Sequence, residues 1–398
     1  MPVIGATYSL NVNEIYASLF NMIISEQVFA DNIKGKNSKL MNEAKAEVGL
    51  YGDSKNYWST DVLKSHAWGN DSEATNLLAL DRGPAPKGQR IVINIFRQIR
   101  LTTDQYLSKR AWMSEGAFGQ FISVMKGWIS ETKKVYDETT YNAFIGTAIS
   151  TATINTLNID LGDTSGHPLY QLTGTEKAKM KAMLISQNLA DLFDDLGDVS
   201  RKYNAHAFLR SYSEDDIKVV WNKKYINQIR KVDLPTIFHK DGLMEKFTEY
   251  SLPSRYFGTP ITSTNVGTYS AATATTGKPL AGNGAPYTYT PGSNNANGTV
   301  RTLVETDITV GGTTTHLFAG DELPASTSVT SAMLGTIYIE DPSVICKVMT
   351  KLPPFMSAFQ VGTSFFNPRS LTETNYLTFG HNTLEVILDS AYVTVKEV

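Results

Sequence analysis

"DRGPAPKGQRIVINIFRQIR", residues 81–100, is the stretch on which the reading of this chain turns. Its opening, Gly83-Pro84-Ala85-Pro86-Lys87-Gly88, excludes helix, because proline lacks an amide hydrogen and glycine adds backbone freedom. The run Ile91, Val92, Ile93, Asn94, Ile95, Phe96 then predicts a strand from its β-branched and aromatic side chains. Five cations border it: Arg82, Lys87, Arg90, Arg97 and Arg100. In one reading they are the solvated rim of an edge hairpin, where charge blocks unwanted strand pairing. In the other the apolar run, Ile91, Ile93 and Ile95, is buried on a neighbouring subunit, and the cations dock on that subunit's acidic groups.

The rest of the composition narrows the choice. At 398 residues, 41% hydrophobic and 10% aromatic, the chain has enough apolar mass for two or three cores. A net charge of -3 argues against a general electrostatic hold on nucleic acid or on an acidic membrane. A single cysteine, Cys346, excludes an internal disulfide and a cysteine-based metal cluster. The first twenty residues lack the basic start and apolar run of a signal peptide, and no apolar stretch reaches the length of a membrane helix, about 18 residues. A soluble protein made in the cytoplasm is therefore expected.

From Asn13, Ile15, Leu19, Met22, Ile23 and Phe29 fall at near-helical spacing, and a polar arm follows. Ser114-Glu115 opens a long helix whose stripe runs from Phe118 through Trp128 and Tyr136 to Ala143. A second helix is expected in "EKAKMKAMLISQNLADLFDDL", with Thr175 as its cap and Gly197 near its end. "HAFLRSYS" and "IKVVWN" read as short strands, "KKYINQIRKVDL" as a short helix closed by Pro235, and "DGLMEKFTEY" as a further helical turn. Between Thr259 and Ala332 charge thins out against Thr, Ser, Gly and Asn, which predicts a small β-rich insertion with a hairpin at Gly311-Gly312. "GTIYIEDPSVICKVM" and "TLEVILDSAYVTVKEV" restore strand patterning up to the last residue.

Chemistry finds little purchase. Six histidines, His66, His167, His206, His239, His316 and His381, show no paired ligand spacing, so no metal is expected. Cys346 alternates with Val344 and Val348 on one strand face and reads as a buried structural thiol. The glycines of "GNGAPY" and "NVGTYSAATATTGK" complete no phosphate-loop pattern. Glu214-Asp215-Asp216, after Ser211 and Ser213, reads as a capped turn rather than a cation site. No nucleophile and base cluster is visible, so neither an enzyme nor a cofactor is expected.

The order of elements, together with "AFLRSYSEDDIKVVWNKKYINQIRKVDLPTIFHKDGL" and the closing "GTIYIEDPSVICKVMTKLPPFMSAFQ...NPRSLTETNYLTFGHNTLEVILDSAYVTVKEV", resembles the major capsid proteins of tailed bacteriophages, with their Hong Kong phage-type fold. The acidic-proline turn Glu340-Asp341-Pro342 before a final long strand carries the likeness most clearly, and its flavour is that of short-tailed phages. The resemblance implies an α+β fold: residues 1–60 an N-terminal arm with an amphipathic helix, 61–101 an extended β-ribbon loop, 102–172 a peripheral domain with the spine helix, 173–258 an axial domain, 259–332 the β-rich insertion, and 333–398 return strands of both domains. It further implies self-assembly in hexamers and pentamers into an icosahedral or prolate shell around double-stranded DNA held without sequence preference. Scaffolding, portal and decoration proteins are the other implied partners, and the virion is the implied location. The ribbon would lie across the adjacent subunit, with Arg82, Lys87, Arg90, Ile91, Ile93, Ile95, Arg97 and Arg100 as interface residues. Lys87, at a Pro/Gly turn, reads as solvated rather than as a cross-linking site. The competing class is a β-rich tail or adhesin protein, which the absence of internal repeats and the two substantial helices disfavour.

Overall fold

The computed structural model describes residues 38–47, 52–65, 82–104, 115–148, 156–231, 248–262, 287–288 and 299–398. The helix expected from Asn13, the start of the long helix at Ser114, the stop at Pro235 and much of the stretch 259–332 lie outside these residues. Contacts divide the chain into two compact units: Met1–Ser54, Val92–Thr139 and Pro354–Thr383 form the first, and Lys55–Ile91, Thr140–Pro353 and Leu384–Val398 the second.

The first unit rests on a long hairpin. Strands β15 (Phe355–Asn367) and β16 (Thr372–Asn382) pair antiparallel, and β16 pairs in turn with β3 (Lys87–Asp104), in a sheet of order β1-β15-β16-β3-β2 completed by β1 (Lys45–Glu47) and β2 (Ser54–Ser59). Ahead of β1, helix α1 (Ser38–Ala44) buries Leu40, Met41 and Ala44. Along β16 every second side chain, Glu373, Asn375, Leu377, Phe379 and His381, is buried, as the two-residue period of a strand requires. Leu377 and Phe379 meet Ile129 and Tyr136 of helix α2 (Glu115–Thr147), and Ile99 and Leu101 of β3 complete that core.

The second unit is built on a mixed sheet of order β4-β17-β14-β5-β6, formed by β4 (Thr156–Ile159), β5 (Lys218–Asn222), β6 (Thr248–Leu252), β14 (Val344–Met349) and β17 (Tyr392–Glu397). Helix α3 (Gly174–Gly197) lays Ala182, Ile185, Leu189, Leu192, Phe193 and Leu196 into a core with Trp221, Cys346, Val348, Val393 and Val395, and α4 (Lys223–Lys231) adds Tyr225 and Ile226. The end of α2 meets the sheet through other side chains: Tyr392 donates its hydroxyl to the Ile145 carbonyl (2.8 Å) and Lys347 Nζ donates to the Ala148 carbonyl (2.9 Å). Cover from both sides explains why all six residues of β14 are buried. Cys346 is the buried thiol its spacing predicts, its pKa driven upward by burial.

A smaller sheet, β7 (Gly258–Pro260), β13 (Ile337–Glu340) and β9 (Val300–Thr302), has β13 at its centre. It shares a core of Ile261, Val300, Ile308, Leu317, Leu323, Val329, Ile337 and Ile339 with the hairpin β10 (Thr306–Val310) and β11 (Thr313–Leu317). Gly311 and Gly312 close that hairpin at φ 58° and 84°, the two left-handed residues a tight hairpin turn demands. A two-residue pair, β8 (Tyr287–Thr288) with β12 (Ser328–Val329), stands beside these.

Four local expectations are corrected. The described end of "DGLMEKFTEY", residues 248–250, is part of strand β6 and not a helical turn. "HAFLRSYS" forms no strand beyond an isolated bridge from Arg210 to Ser200. The Asn204 side chain donates to the Phe208 carbonyl (2.7 Å) and accepts from its amide (2.9 Å), taking the groups a ladder would use. "TLEVILDSAYVTVKEV" is strand only from Tyr392 onward. The cap of α3 is Thr173 rather than Thr175.

Candidate subunit interface

The ribbon is a real antiparallel pair with a constant register. Gly52 N–H donates to the Ile93 carbonyl (3.1 Å) and Ile93 N–H to the Asp53 carbonyl (3.0 Å). Farther out, the Trp58 ring lies so close over Gly88 that an added Cβ would come within 2.9 Å of it, and Leu63 would approach a Cβ on Gly83 to 3.1 Å. The partners advance in step, 53 with 93, 58 with 88 and 63 with 83, so glycine on one arm makes room for a large side chain on the other.

β3 changes partners along its length. From Ile95 to Asp104 it pairs residue for residue with β16, and the register then slips between His381 and Asn382 so that Asn94 is bulged out. Asn94 Oδ1 accepts from the Thr383 amide (3.1 Å) and hydroxyl (2.7 Å), which holds the bulge in place.

The base of the ribbon is clamped. Asp61 Oδ1 accepts from the Leu209 amide (3.0 Å) and Oδ2 from Arg201 (2.5 Å), and these bonds hold its carboxyl down at about 2. Gln89 is buried and behaves as an extra rung: its Oε1 accepts from the Leu388 amide (3.0 Å) while Nε2 donates to the Val386 carbonyl (3.0 Å). Phe208 is flanked by two cations, Lys87 and Arg210, each 5.4 Å from its ring centroid, and Arg210 also pairs with Asp389 at 3.1 Å. Asp61 stood in the sequence only as a boundary, and Gln89 gave no signal at all.

The eight expected interface residues separate into three groups. Ile91 and Ile93 are buried by their own chain, at 1% and 0% exposure, so the expectation that a neighbour covers them is corrected. Ile93 stands between Asn382 of β16 and the Gly52-Asp53 backbone, in the interior of a sheet and not on its edge. Ile95 is half-buried opposite His381, and Arg97, half-buried, turns to the helix side, its guanidinium carbon 5.2 Å from the Tyr136 ring centroid. Arg82, Lys87, Arg90 and Arg100 are exposed. Lys87 is the first residue of β3 rather than a turn tip. Arg100 shares the outer sheet face with Gln98, which donates to Thr378 (3.2 Å), with Thr102, 3.0 Å from Thr374, and with the exposed Phe96 and Phe365.

Behind that sheet lies a polar seam the sequence did not announce. Lys133 pairs with Asp137 one helical turn on, both buried, and its ammonium is 5.1 Å from the Phe379 ring centroid. His381 is stacked on Phe355 at 5.2 Å and hydrogen-bonded to Tyr136. Among the described residues no group of His, Cys, Asp or Glu is arranged to hold a metal ion, and no helix is long and apolar enough to cross a membrane.

A model of the family described as Phi29-like phage major capsid protein matches residues 3–274. No curated protein matches the chain. Among solved structures it is similar to a chain in the capsid structure of Staphylococcus phage Andhra, at 11% identity and a TM-score of 0.50, over 94% of this chain and 87% of that one. A chain in the structure of the head fiber and inner core protein gp22 of native bacteriophage P68 is similar at 11% identity and a TM-score of 0.50, over 89% of this chain and 83% of that one. At such identities the likeness is one of fold, and the fold is the α+β fold of phage capsid proteins.

Proposed function

Because the chain belongs to the Phi29-like phage major capsid protein family and is a structural, shell-forming protein of the virion capsid, we propose that it assembles as hexamers and pentamers into an icosahedral or prolate shell enclosing double-stranded DNA. The observation that carries this reading is the family match over residues 3–274. The clamped ribbon supports it, since a two-stranded arm standing on a fixed base gains little by itself and becomes worthwhile by burying area on another copy. In this reading residues up to 51 form the arm and 52–101 the ribbon loop, the boundary expected at 61 moving because β2 pairs with β3; 102–172 is the peripheral domain with α2 as its spine, 173–258 the axial domain and 333–398 the return strands, while 259–332 decorates the shell. DNA contacts are sparse and sequence-independent, made by local Lys and Arg patches on a chain of net charge -3. Synthesis takes place in the host cytoplasm, and scaffolding, portal and decoration proteins are the further partners.

Electron microscopy of the purified full chain tests the reading: closed shells or capsomers are expected, and rods or isolated trimers would overturn it. Removing residues 1–32 is expected to leave a subunit that no longer closes a shell.

A further inference from the structure

At the base of the ribbon, within the second unit, three basic side chains crowd one aromatic ring. Lys87, the first residue of β3, and Arg210 each stand 5.4 Å from the Phe208 ring centroid, and the His206 ring lies 5.5 Å from it. Among the described residues the acid that faces His206 is Asp389, and it is already committed to Arg210 at 3.1 Å. A cation is welcome on a ring face, but a third one beside two others meets like charge at short range.

Two further observations mark this place as one that can give. Ala207, between His206 and Phe208, is held at φ 54°, a left-handed conformation that a residue with a Cβ keeps only while its surroundings impose it. Polar side chains impose it here: Asn204 bonds both backbone groups of Phe208, and Arg201, from its seat on Asp61, donates to the Ala207 carbonyl (2.8 Å). Beside the turn lies a cavity of about 240 Å³ whose lining includes His206, Lys351 and Asp389 together with Tyr57 and Trp58 of β2. The imidazole therefore borders open space, and the ribbon strand forms part of the same wall.

We propose that His206 is a proton-sensitive catch on the base of the ribbon. The neutral ring tolerates Lys87 and Arg210 around Phe208; the imidazolium, a third cation at the same ring, drives Lys87 off it and lets the strained 206–208 turn relax, so the ribbon loosens from its base in acid. Burial, with Lys87 and Arg210, lowers the His206 pKa from its ordinary 6.5, and Asp389 opposes. The catch is therefore fully closed above pH 6.5 and opens as the pH falls toward the lowered folded value. Of the other groups on the cavity, Lys351 adds positive charge, and Tyr57, whose pKa burial raises, adds none. The catch works inside one chain, so it is read on the unassembled subunit and stands apart from the shell-forming role.

Hydrogen exchange of the unassembled full-length chain, read by mass spectrometry as protection factors at pH 7.5 and 5, tests this. Protection in residues 55–63, 85–91 and 206–210 is expected to fall at least about tenfold between the two, while that of β14 and β17 stays unchanged. His206→Gln, which cannot take up the proton, is expected to keep the ribbon base protected at pH 5. His206→Arg, charged throughout, is expected to lose that protection already at pH 7.5. Lys87→Met removes the cation that the imidazolium repels, so protection is expected to survive at pH 5 with the native histidine in place; this variant decides if His206→Arg fails to fold, as melting curves will show. Protection at the ribbon base that does not change with pH overturns the proposal. So does a loss that persists in His206→Gln or in Lys87→Met, or one that extends equally to β14 and β17.

Discussion

The Tyr136 hydroxyl lies 2.6 Å from His381 Nε2, and the other ring nitrogen of His381, Nδ1, lies 2.8 Å from the Asn382 carbonyl. A carbonyl only accepts, so Nδ1 carries the proton, and Nε2 of the neutral ring accepts from Tyr136. Burial, with Arg97 and Lys133 nearby, lowers the His381 pKa from its ordinary 6.5, while the Asn382 carbonyl and Asp137 act the other way. Because the folded state resists the proton, stability is full above pH 6.5, falls as the pH drops toward the lowered folded value, and levels off below it. Melting temperatures between pH 7.5 and 5 should show this decline, and His381→Asn should flatten it. Tyr136→Phe should cost about 1–2 kcal/mol at pH 7.5, because it leaves buried Nε2 without its donor.

Ile93→Asp should unfold the isolated subunit, and not merely impair assembly. The side chain is fully buried inside its own sheet, and a carboxylate there lacks a partner, at a cost of about 3–5 kcal/mol. Thermal melting of the unassembled chain checks this: a melting temperature within a degree or two of native would return Ile93 to a subunit interface. Ile95→Asp, at a half-buried position, should cost less.

Gly146 faces the Tyr256 backbone so closely that an added Cβ would lie 2.0 Å from its carbonyl oxygen. Neither backbone can yield as a flexible side chain would, so Gly146→Ala should destabilise the second unit by several kcal/mol, on the order of an overpacked core, despite alanine's higher helix propensity. Denaturant titration measures it; a neutral or stabilising result would show that the helix end shifts freely.

Lys347 is buried in β14 and donates to the Ala148 carbonyl (2.9 Å) and to Thr394 Oγ1 (2.8 Å), without a carboxylate partner at its ammonium among these contacts. Burial, aided by Lys396, brings its pKa down from 10.5 to about 7, with Asp341 opposing. A base with a lowered folded pKa adds most stability above its unfolded value, so stability should decline as the pH falls from about 10 toward 7 and then level off. Lys347→Met should abolish that slope, because it removes the titrating group. A slope that survives the substitution would assign it to another residue.

Strands and helices were legible from the sequence wherever one period dominated. The stripe through Ile129, Tyr136 and Ala143 is a buried face of α2, although Trp128, expected on it, is 54% exposed; Gly311-Gly312 makes its hairpin turn, and Ile91 to Phe96 lies in a strand. Residue character also identified Cys346 as core. These signals are local: side-chain shape sets χ1 and β preference, and the apolar period marks the face to be buried. The family likeness followed from the order of such elements.

Which strand lies beside β3 was a different kind of question. Backbone donors and acceptors are the same for every partner, so nothing in residues 87–104 names β16, about 270 positions away, and the fully buried Ile93 reads the same as an isoleucine awaiting a neighbour. The polar partners were hidden for the same reason. Tyr136 and His381 are 245 positions apart and Lys347 and Ala148 199, and each pair becomes chemistry only when the sheet and helix bring it together. The sequence by itself determined the elements, their order and the residues that had to be covered; the tertiary structure alone decided what covers them, because strand pairing and helix docking are set by long-range packing that no local run of residues encodes.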